Sequence, residues 1–357
     1  MVAPEPLRRM LVQLGSAFRD SFTPPEEAEP LDSASWHQAR RYRLLLALAV
    51  LYLLWRQTTA RATSSTKPWG PRWLAVLIGL AFSKLLSVVG RIPVKKVILP
   101  PGGIDAGRQY VVVWHPHGAY TTMAFMHCGN HSVQGKPLTW YPGIAPLLFN
   151  VPFFREAALL LNARSVTAKT LDKLAAAGRT VGVQPGGIPE QLHSDHTREI
   201  AFFPPKLGFI RLAMRHGVDL LPAYIFGENQ AYTTYSLGRK ISQWSYKWFG
   251  MPVVPITGRW GLPWLVPNKA HRKTCSSSLI VCWGRPVNVG GVNTDPTDAQ
   301  CSLSAIRLGR WQVEEVFDRY VAELLRVFDE NKAACLPPEV AAKGLTIVKR
   351  DMKQAKL

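Results

Sequence analysis

The run YVVVW at 110–114 leads straight into His115-Pro116-His117-Gly118. A stretch of β-branched and aromatic residues with no polar member reads as a buried strand, here ending at His115. The pattern recurs. Thr180 to Gln184 is a second strand, followed by Pro185-Gly186-Gly187-Ile188-Pro189-Glu190. Asp219 to Phe226 is a third, followed by Gly227-Glu228-Asn229, and Ser278 to Trp283 is a fourth. Helical spacing marks Thr167 to Ala177, with Gly178 as its stop, and Leu207 to His216, closed by Gly217. Val313, Val316, Phe317, Tyr320, Leu324, Val327 and Phe328 trace one face of a longer helix. Strands alternating with helices imply an α/β fold, with a mixed or parallel sheet covered by helices. Parallel strands bring their C-terminal turns to one sheet edge, where α/β folds gather their chemistry.

Upstream the pattern changes. Residues 44–55 are uninterrupted apolar residues, and 73–89 are broken only by Gly79, Ser83, Lys84 and Ser87. As helices these segments run roughly 18 and 26 Å, short of the roughly 30 Å hydrocarbon core. Joined through Ser64, Ser65, Pro68, Gly70 and Pro71, they are expected to form a membrane-embedded helical hairpin that enters the bilayer or just spans it. Trp55, Trp69 and Trp73 would anchor its tip. Two buried helices of a soluble domain are the alternative. Arg40, Arg41, Arg43, Arg91, Lys95 and Lys96 flank the outer ends, which places both on the cytosolic side. The first 39 residues are polar, and no cleavable signal peptide is expected. Within them Leu7, Met10, Leu11, Leu14 and Phe18 mark a short basic amphipathic helix, membrane-bound or frayed, before an acidic proline-rich linker. The expected division is 1–39 polar segment, 40–92 hairpin and 93–357 α/β domain.

Composition narrows the function. With 357 residues, 47% hydrophobic and 19% charged, the chain is not disordered over most of its length. Lys and Arg number 43 against 24 Asp and Glu, a net charge of +19. Such a balance asks for an anionic partner: nucleic acid, a phosphorylated substrate or an acidic membrane face. Cys128, Cys275, Cys282, Cys301 and Cys335 form no CxxC and no His-paired spacing, which argues against a zinc site or a disulfide framework. The five tryptophans from Trp244 to Trp283 suit core packing or a membrane-facing surface better than nucleic-acid stacking, and no RNA-binding signature accompanies them.

Two histidines on a turn at a strand's end can do acid–base work. Pro116 fixes its own φ, Gly118 lets the backbone approach a substrate, and a histidine there titrates near working pH. It can take a proton from an alcohol. A structural or metal-binding pair is the alternative, although no third ligand lies at helical spacing. The Gly186-Gly187 turn exposes N–H groups to an anion or oxyanion, and Glu190 can orient an imidazolium or a substrate hydroxyl. Read alone, it is equally a tight loop. Arg155, Lys206, Arg211 or Arg215 can hold a phosphate-rich donor; for the last three a solvated helix face is the alternative. Glu228 and Asn229 end the third strand at the same edge as His117.

Taken together these segments resemble the type-2 diacylglycerol acyltransferase family, with its monoacylglycerol and wax-alcohol acyltransferases. The matching run is HPHG (115–118), WYPG (140–143), FFRE (153–156), PGGIPE (185–190), KLGFIRLAMRHGVDLLPAYIFGEN (206–229), ITGRWG (256–261) and GRPVNV (284–289). The helix near FDENK (328–332) completes it, and order and spacing agree from about residue 40 to residue 348. Trp114 departs from the family's usual Tyr, and Pro205 to Phe209 departs by a shifted residue from its Arg-Lys-Gly-Phe. The resemblance implies acyl transfer from acyl-CoA to a lipid hydroxyl, with no metal or other cofactor. It places His115, His117 and Gly118 in the catalytic block, Arg155 and Glu156 in an Arg-Glu pair, and Gly186, Gly187 and Glu190 in the Gly-Gly-x-x-Glu block. Glycerolipid acyltransferases of the looser kind use a His-x4-Asp dyad; with His117 as its histidine the acid position falls on Thr122. Another acid must then orient the base, Glu190 first and Glu228 second.

The expected activity is therefore a diacylglycerol O-acyltransferase, with His117 as general base and His115 structural or sharing the role. A monoacylglycerol or alcohol acceptor is the alternative, and a non-enzymatic basic lipid-binding membrane protein the remote one. Expected partners are acyl-CoA, a lipid alcohol and a membrane, without nucleic acid; a homo-oligomer is compatible. The expected location is the endoplasmic reticulum membrane, extending to the lipid droplet surface.

Overall fold

In the computed structural model the YVVVW run becomes a six-residue strand, Tyr110–His115, with every residue buried. The structure describes residues 61–67, 69, 96–119, 121, 132–133, 136–137, 140–151, 154–250, 252–261, 268, 279–290 and 303–349. The chain separates into two units, Met1–Thr59 and Ala60–Leu357, and the sheet and its helices belong to the second. In chain order its main elements begin with β1 (Lys96–Ile98), β2 (Tyr110–His115), β3 (Trp140–Ile144), α1 (Phe154–Leu160), β4 (Arg164–Ser165) and α2 (Ala168–Ala176). Next come β5 (Thr180–Val183), α3 (Gly187–Leu192), β6 (Glu199–Phe203), α4 (Gly208–His216) and β7 (Asp219–Phe226). They end with β8 (Thr233–Thr234), α5 (Ser236–Phe249), β9 (Ile256–Thr257), β10 (Ile280–Trp283), α6 (Leu303–Cys335) and β11 (Leu345–Lys349).

Seven strands form the central sheet in the order β1-β10-β7-β2-β5-β3-β4. From β7 to β4 every pairing is parallel. At the other edge β10 runs antiparallel to β7, and β1 runs parallel to β10. The sheet is thus mixed and parallel-rich, as the strand–helix alternation implies. Burial on both faces explains the absence of polar alternation in β2. Val111 and Val113 meet Leu171 and Leu174 of α2, Ile210 and Leu212 of α4, and Val316, Tyr320 and Leu324 of α6. On the other face Tyr110, Val112 and Trp114 pack with Trp140, Leu221, Val281 and Trp283. All seven apolar residues read along the C-terminal helix are buried. Parallel pairing of β11 with β6 ties the chain's last described segment to the same unit.

Several boundaries shift by one or two residues: Thr167 and Ala177 cap α2, Leu207 caps α4, Gln184 follows β5 and β10 begins at Ile280. β3, β6 and α5 are not among the elements expected from the sequence. The amphipathic segment 7–18 and the apolar segments 44–55 and 73–89 lie outside the described residues. Among the described residues no helix is long and apolar enough to cross a membrane. Cys282 and Cys335 are buried.

One glycine sets how closely the tryptophans pack. Trp114 and Trp140 meet edge-on at 4.9 Å, and Trp140 meets Trp283 at 6.3 Å. A Cβ at Gly182 would sit 2.5 Å from the Trp140 ring and 2.7 Å from that of Trp114. Gly182→Ala is therefore expected to destabilise the protein by about 1–3 kcal/mol through overpacking. Thermal denaturation in detergent checks this, and an unchanged midpoint would overturn it.

Candidate active site

β2 and β5 are parallel neighbours, with Val113 opposite Val183. Their C-terminal turns, HPHG and PGGIPE, accordingly emerge at one sheet edge. The short helix α3 then carries Glu190 back onto the HPHG turn. Glu190 is buried, 3% exposed. Its Oε1 accepts the His117 backbone N–H at 2.7 Å. Its Oε2 accepts the Phe202 backbone N–H at 3.4 Å and faces His115 Nδ1 at 3.4 Å. The glycine pair makes this possible: a Cβ on Gly186 would collide with the Glu190 carboxylate, and Gly187 takes a φ of 51°. A second tie links the turns, as Gln184 Nε2 donates to Pro116 O at 3.3 Å and Thr121 Oγ1 donates to Gln184 Oε1 at 3.2 Å.

This arrangement corrects the expected division of roles. The sequence assigns Glu190 to the His117 imidazole, yet it grips His117 by its backbone and faces the ring of His115. The His115 ring is fully buried and lies 4.9 Å from that of Phe203, and among the described residues its Nε2 has no hydrogen-bond partner. His117 is half-buried, and its Nδ1 lies 3.2 Å from Gly118 O. A carbonyl only accepts, so Nδ1 carries the hydrogen and Nε2 keeps the lone pair. Burial pushes the His117 pKa below the usual 6.5, while the nearby Glu190 charge raises it in part. His117 is then neutral, with a basic Nε2, at neutral pH.

The remaining candidates separate. Gly118 adopts a φ of 66° in the turn itself. Gly187 N–H donates to Gln184 O at 3.2 Å, so one of the two amides expected at an oxyanion is committed to the loop. Arg155 is buried on α1 at 1% exposure, not presented to solvent as a phosphate reader would be. Lys206 is exposed, and its carbonyl accepts from Arg211 Nε at 3.0 Å. Arg215 lies apart from that pair: it bonds Asp172 at 2.8 Å, as His216 does at 2.9 Å. Glu228 is buried at the end of β7. Asn229 holds another side chain, donating from Nδ2 to Glu199 Oε2 at 2.7 Å and accepting from Ser194 Oγ at 3.2 Å. Beside Glu190 opens a cleft of about 10 Å³, room for a single water molecule, lined also by His193, Arg198 and Asn229. That is below the roughly 300–1,000 Å³ of a typical ligand pocket. Among the described residues no cluster of three His, Cys, Asp or Glu is placed to hold a metal.

Glu199 belongs to no motif that the sequence singles out. Its Oε2 accepts from Tyr224 OH and Asn229 Nδ2, and its Oε1 accepts from Gln230 Nε2, each at 2.7 Å. Tyr224 stands opposite His115 in the β2–β7 register, so this second buried carboxylate adjoins the histidine turn. A charged residue opening the apolar run EIAFF (199–203) is the one signal that could have found it. Burial raises its pKa from 4.5 to about 7, the neutral donors opposing and the Glu190 charge adding to the rise. An acid whose folded pKa is raised costs stability once ionised. The cost is absent below the unfolded pKa and complete above the folded one. From about pH 5 to pH 8 the wild-type protein should therefore lose on the order of 3 kcal/mol relative to Glu199→Gln. Denaturation of both proteins across that range tests this; parallel stability curves would overturn it.

Comparison with known proteins bears on the whole of this unit. The chain is 27% identical over 253 residues to diacylglycerol O-acyltransferase 2 of Bos taurus, covering 65% of this chain and 63% of that one. It is 32% identical over 157 residues to acyl-CoA wax alcohol acyltransferase 2 of Mus musculus, covering 41% and 46%. With 2-acylglycerol O-acyltransferase 1 of Homo sapiens it shares 26% over 251 residues, covering 66% and 69%. The chain thus spans about half to two thirds of the length of the curated relatives it matches. The solved 1-acyl-sn-glycerophosphate acyltransferase PlsC from Thermotoga maritima superposes with a TM-score of 0.35 at 17% identity. That overlay covers 80% of this chain and 98% of that one, and at this score it decides nothing. The model of the diacylglycerol acyltransferase family matches residues 44–340, which takes in every element from β1 to α6 and both turns of the site, and the chain belongs to that family.

Proposed function

We propose that the chain is an acyl-CoA-dependent O-acyltransferase that makes triacylglycerol from diacylglycerol. The observation that carries this is the Glu190 carboxylate, which holds the HPHG turn by the His117 N–H while His117 keeps a half-buried, neutral ring. His117 Nε2 removes the proton of the acceptor hydroxyl, and the oxygen attacks the thioester carbonyl carbon. The tetrahedral oxyanion collapses, the C–S bond breaks, and the coenzyme A thiolate takes the proton back from the imidazolium. One ester and one thiol result, without a redox step. With the Gly187 amide committed, the oxyanion falls to the amide of Gly186 and other donors of the turns. Lys206 and Arg211 are the cations left for the donor's phosphates, since Arg215 is paired with Asp172. His115, buried against Phe203, is a positioning residue in this reading.

The acceptor has a second reading, monoacylglycerol or a long-chain alcohol, favoured by the likeness to the 2-acylglycerol and wax-alcohol relatives. Membrane attachment through 40–92 and residence in the endoplasmic reticulum membrane and on lipid droplets complete the proposal. The deciding assay offers labelled acyl-CoA to microsomes with diacylglycerol, monoacylglycerol and a fatty alcohol in parallel; no ester with any of them would overturn the enzymatic reading.

Two outcomes are expected. His117→Ala should lower turnover by about 10²–10⁴-fold with membrane association retained, and a loss under about fivefold would remove His117 as base. A larger loss in His115→Ala than in His117→Ala would reverse the assignment. The second outcome concerns pH. The acid limb of the rate profile should lie below pH 6.5, because burial disfavours the imidazolium. Glu190→Gln removes the charge that raises the His117 pKa, so the limb should move further down while turnover falls. An upward move would contradict the electrostatic link.

A further inference from the structure

Helix α5 (Ser236–Phe249) is turned inside out. Its buried positions are Gly238, Ser242 and Ser245. Its large apolar side chains face outward: Leu237 is 67% exposed, Trp244 57%, Trp248 68% and Phe249 69%, with Ile241 at 40%. At 100° per residue Leu237, Ile241, Trp244 and Trp248 fall within about 60° of one another, a single stripe. The small residues lock this orientation. A Cβ on Gly238 would sit 2.8 Å from Pro255 O. Ser242 Oγ donates to Val253 O at 2.9 Å, and Ser245 Oγ accepts the Val253 N–H at 2.8 Å. The outward stripe is thus held by packing and hydrogen bonds on the opposite flank.

We propose that this stripe is a docking surface for an anionic lipid bilayer, a proposal that rests on the reading of the substrates as membrane lipids. Charge decides the occupant. Residues 229–294 contain eight Lys and Arg and no Asp or Glu. Lys240 and Lys247 lie along one border of the stripe, both exposed and in no ion pair among the described residues. Trp260, 68% exposed on the turn after β9, carries Arg259 over its ring at 4.4 Å. Arg239 on the same helix is paired with Asp195 at 3.4 Å, but tryptophans bordered by Lys240, Lys247 and Arg259 suit the headgroup zone of an acidic leaflet. A second copy would set Lys240 and Lys247 against their own kind. The chain's own apolar segments 44–55 and 73–89 are likewise bracketed by Arg and Lys.

The test reconstitutes the full chain into phosphatidylcholine vesicles, with and without phosphatidylglycerol, that contain a lipid with a photoactivatable acyl chain. Labelled peptides are mapped by mass spectrometry. Labelling of 237–249 is expected, increased several-fold by phosphatidylglycerol. The triple variant Trp244→Gln, Trp248→Gln, Phe249→Gln should lose about tenfold or more of that label, since each aromatic buries on the order of 150–250 Å². Lys240→Glu with Lys247→Glu should abolish the phosphatidylglycerol effect. If the triple variant does not fold, the wild-type labelling map decides alone. Labelling of 237–249 no higher than that of buried β7 would overturn the proposal. So would cross-links that place a second copy or residues 44–89 on the stripe. Acyl transfer is not needed for this readout, so an active protein with an unlabelled stripe refutes the docking surface, and an inactive one with a labelled stripe refutes the enzymatic reading.

Discussion

A carboxylate buried to 3% exposure must find most of its partners inside the protein, and Glu190 is that carboxylate. An ionised group left unpartnered there would cost several kcal/mol. Glu190 meets the requirement with two backbone N–H groups, those of His117 and Phe202, and the facing ring of His115. Three separate stretches, 115–118, 185–190 and 199–203, are thereby locked together. The glycine at 186 follows from the same demand, because any side chain there would occupy the carboxylate's own space. Bracing continues outward through Phe203, which packs on His115 and meets Phe209 of α4, and Phe317 and Tyr320 of α6.

Within this frame the two histidines have different environments, and those environments sort their roles. His115 is sealed between a carboxylate and an aromatic ring, where nothing outside the protein reaches it. His117 is tied down by its backbone and by its Nδ1, which leaves Nε2 as the nitrogen free to change its proton. Glu190 acts on the first through contact and on the second through its field. Glu199, bonded to Tyr224 directly across from His115, places a second carboxylate close to the first. Burial is the main cause that raises the Glu199 pKa to about 7, and the Glu190 charge adds to it.

Strand and helix periods make the sheet, the C-terminal helix and the pairing of the two turns at one edge legible, since each depends on local pattern and on the geometry of parallel strands. Which histidine faces Glu190 is not legible. HPHG holds the two only two residues apart, and the choice depends on how the turn after β2 folds back. Asn229 shows the same limit: a strand-end polar residue reads as a substrate contact, but a carboxylate 30 residues upstream in sequence takes it. Arg211 and Arg215 share a face as their spacing requires, yet Asp172 on α2 engages Arg215. Such partners come from other elements, and no local pattern announces them.

Helix α5 exposes the deepest reason for the difference. Its apolar residues recur at helical spacing, and the ordinary expectation buries them. Close packing decides otherwise, because Pro255 O leaves no space for a side chain at Gly238, and Ser242 and Ser245 bond the Val253 backbone. A tryptophan turned to that side would meet the backbone at once. The large residues are left facing out, within the stretch 229–294, which contains no acid. Eight of the 43 Lys and Arg fall in this stretch, and Lys240, Lys247 and Arg259 there have exposed indoles as neighbours. Of the anionic partners that a charge of +19 admits, the one proposed for this surface is the acidic membrane face, since neither a nucleic acid nor a soluble phosphate would draw on the apolar stripe.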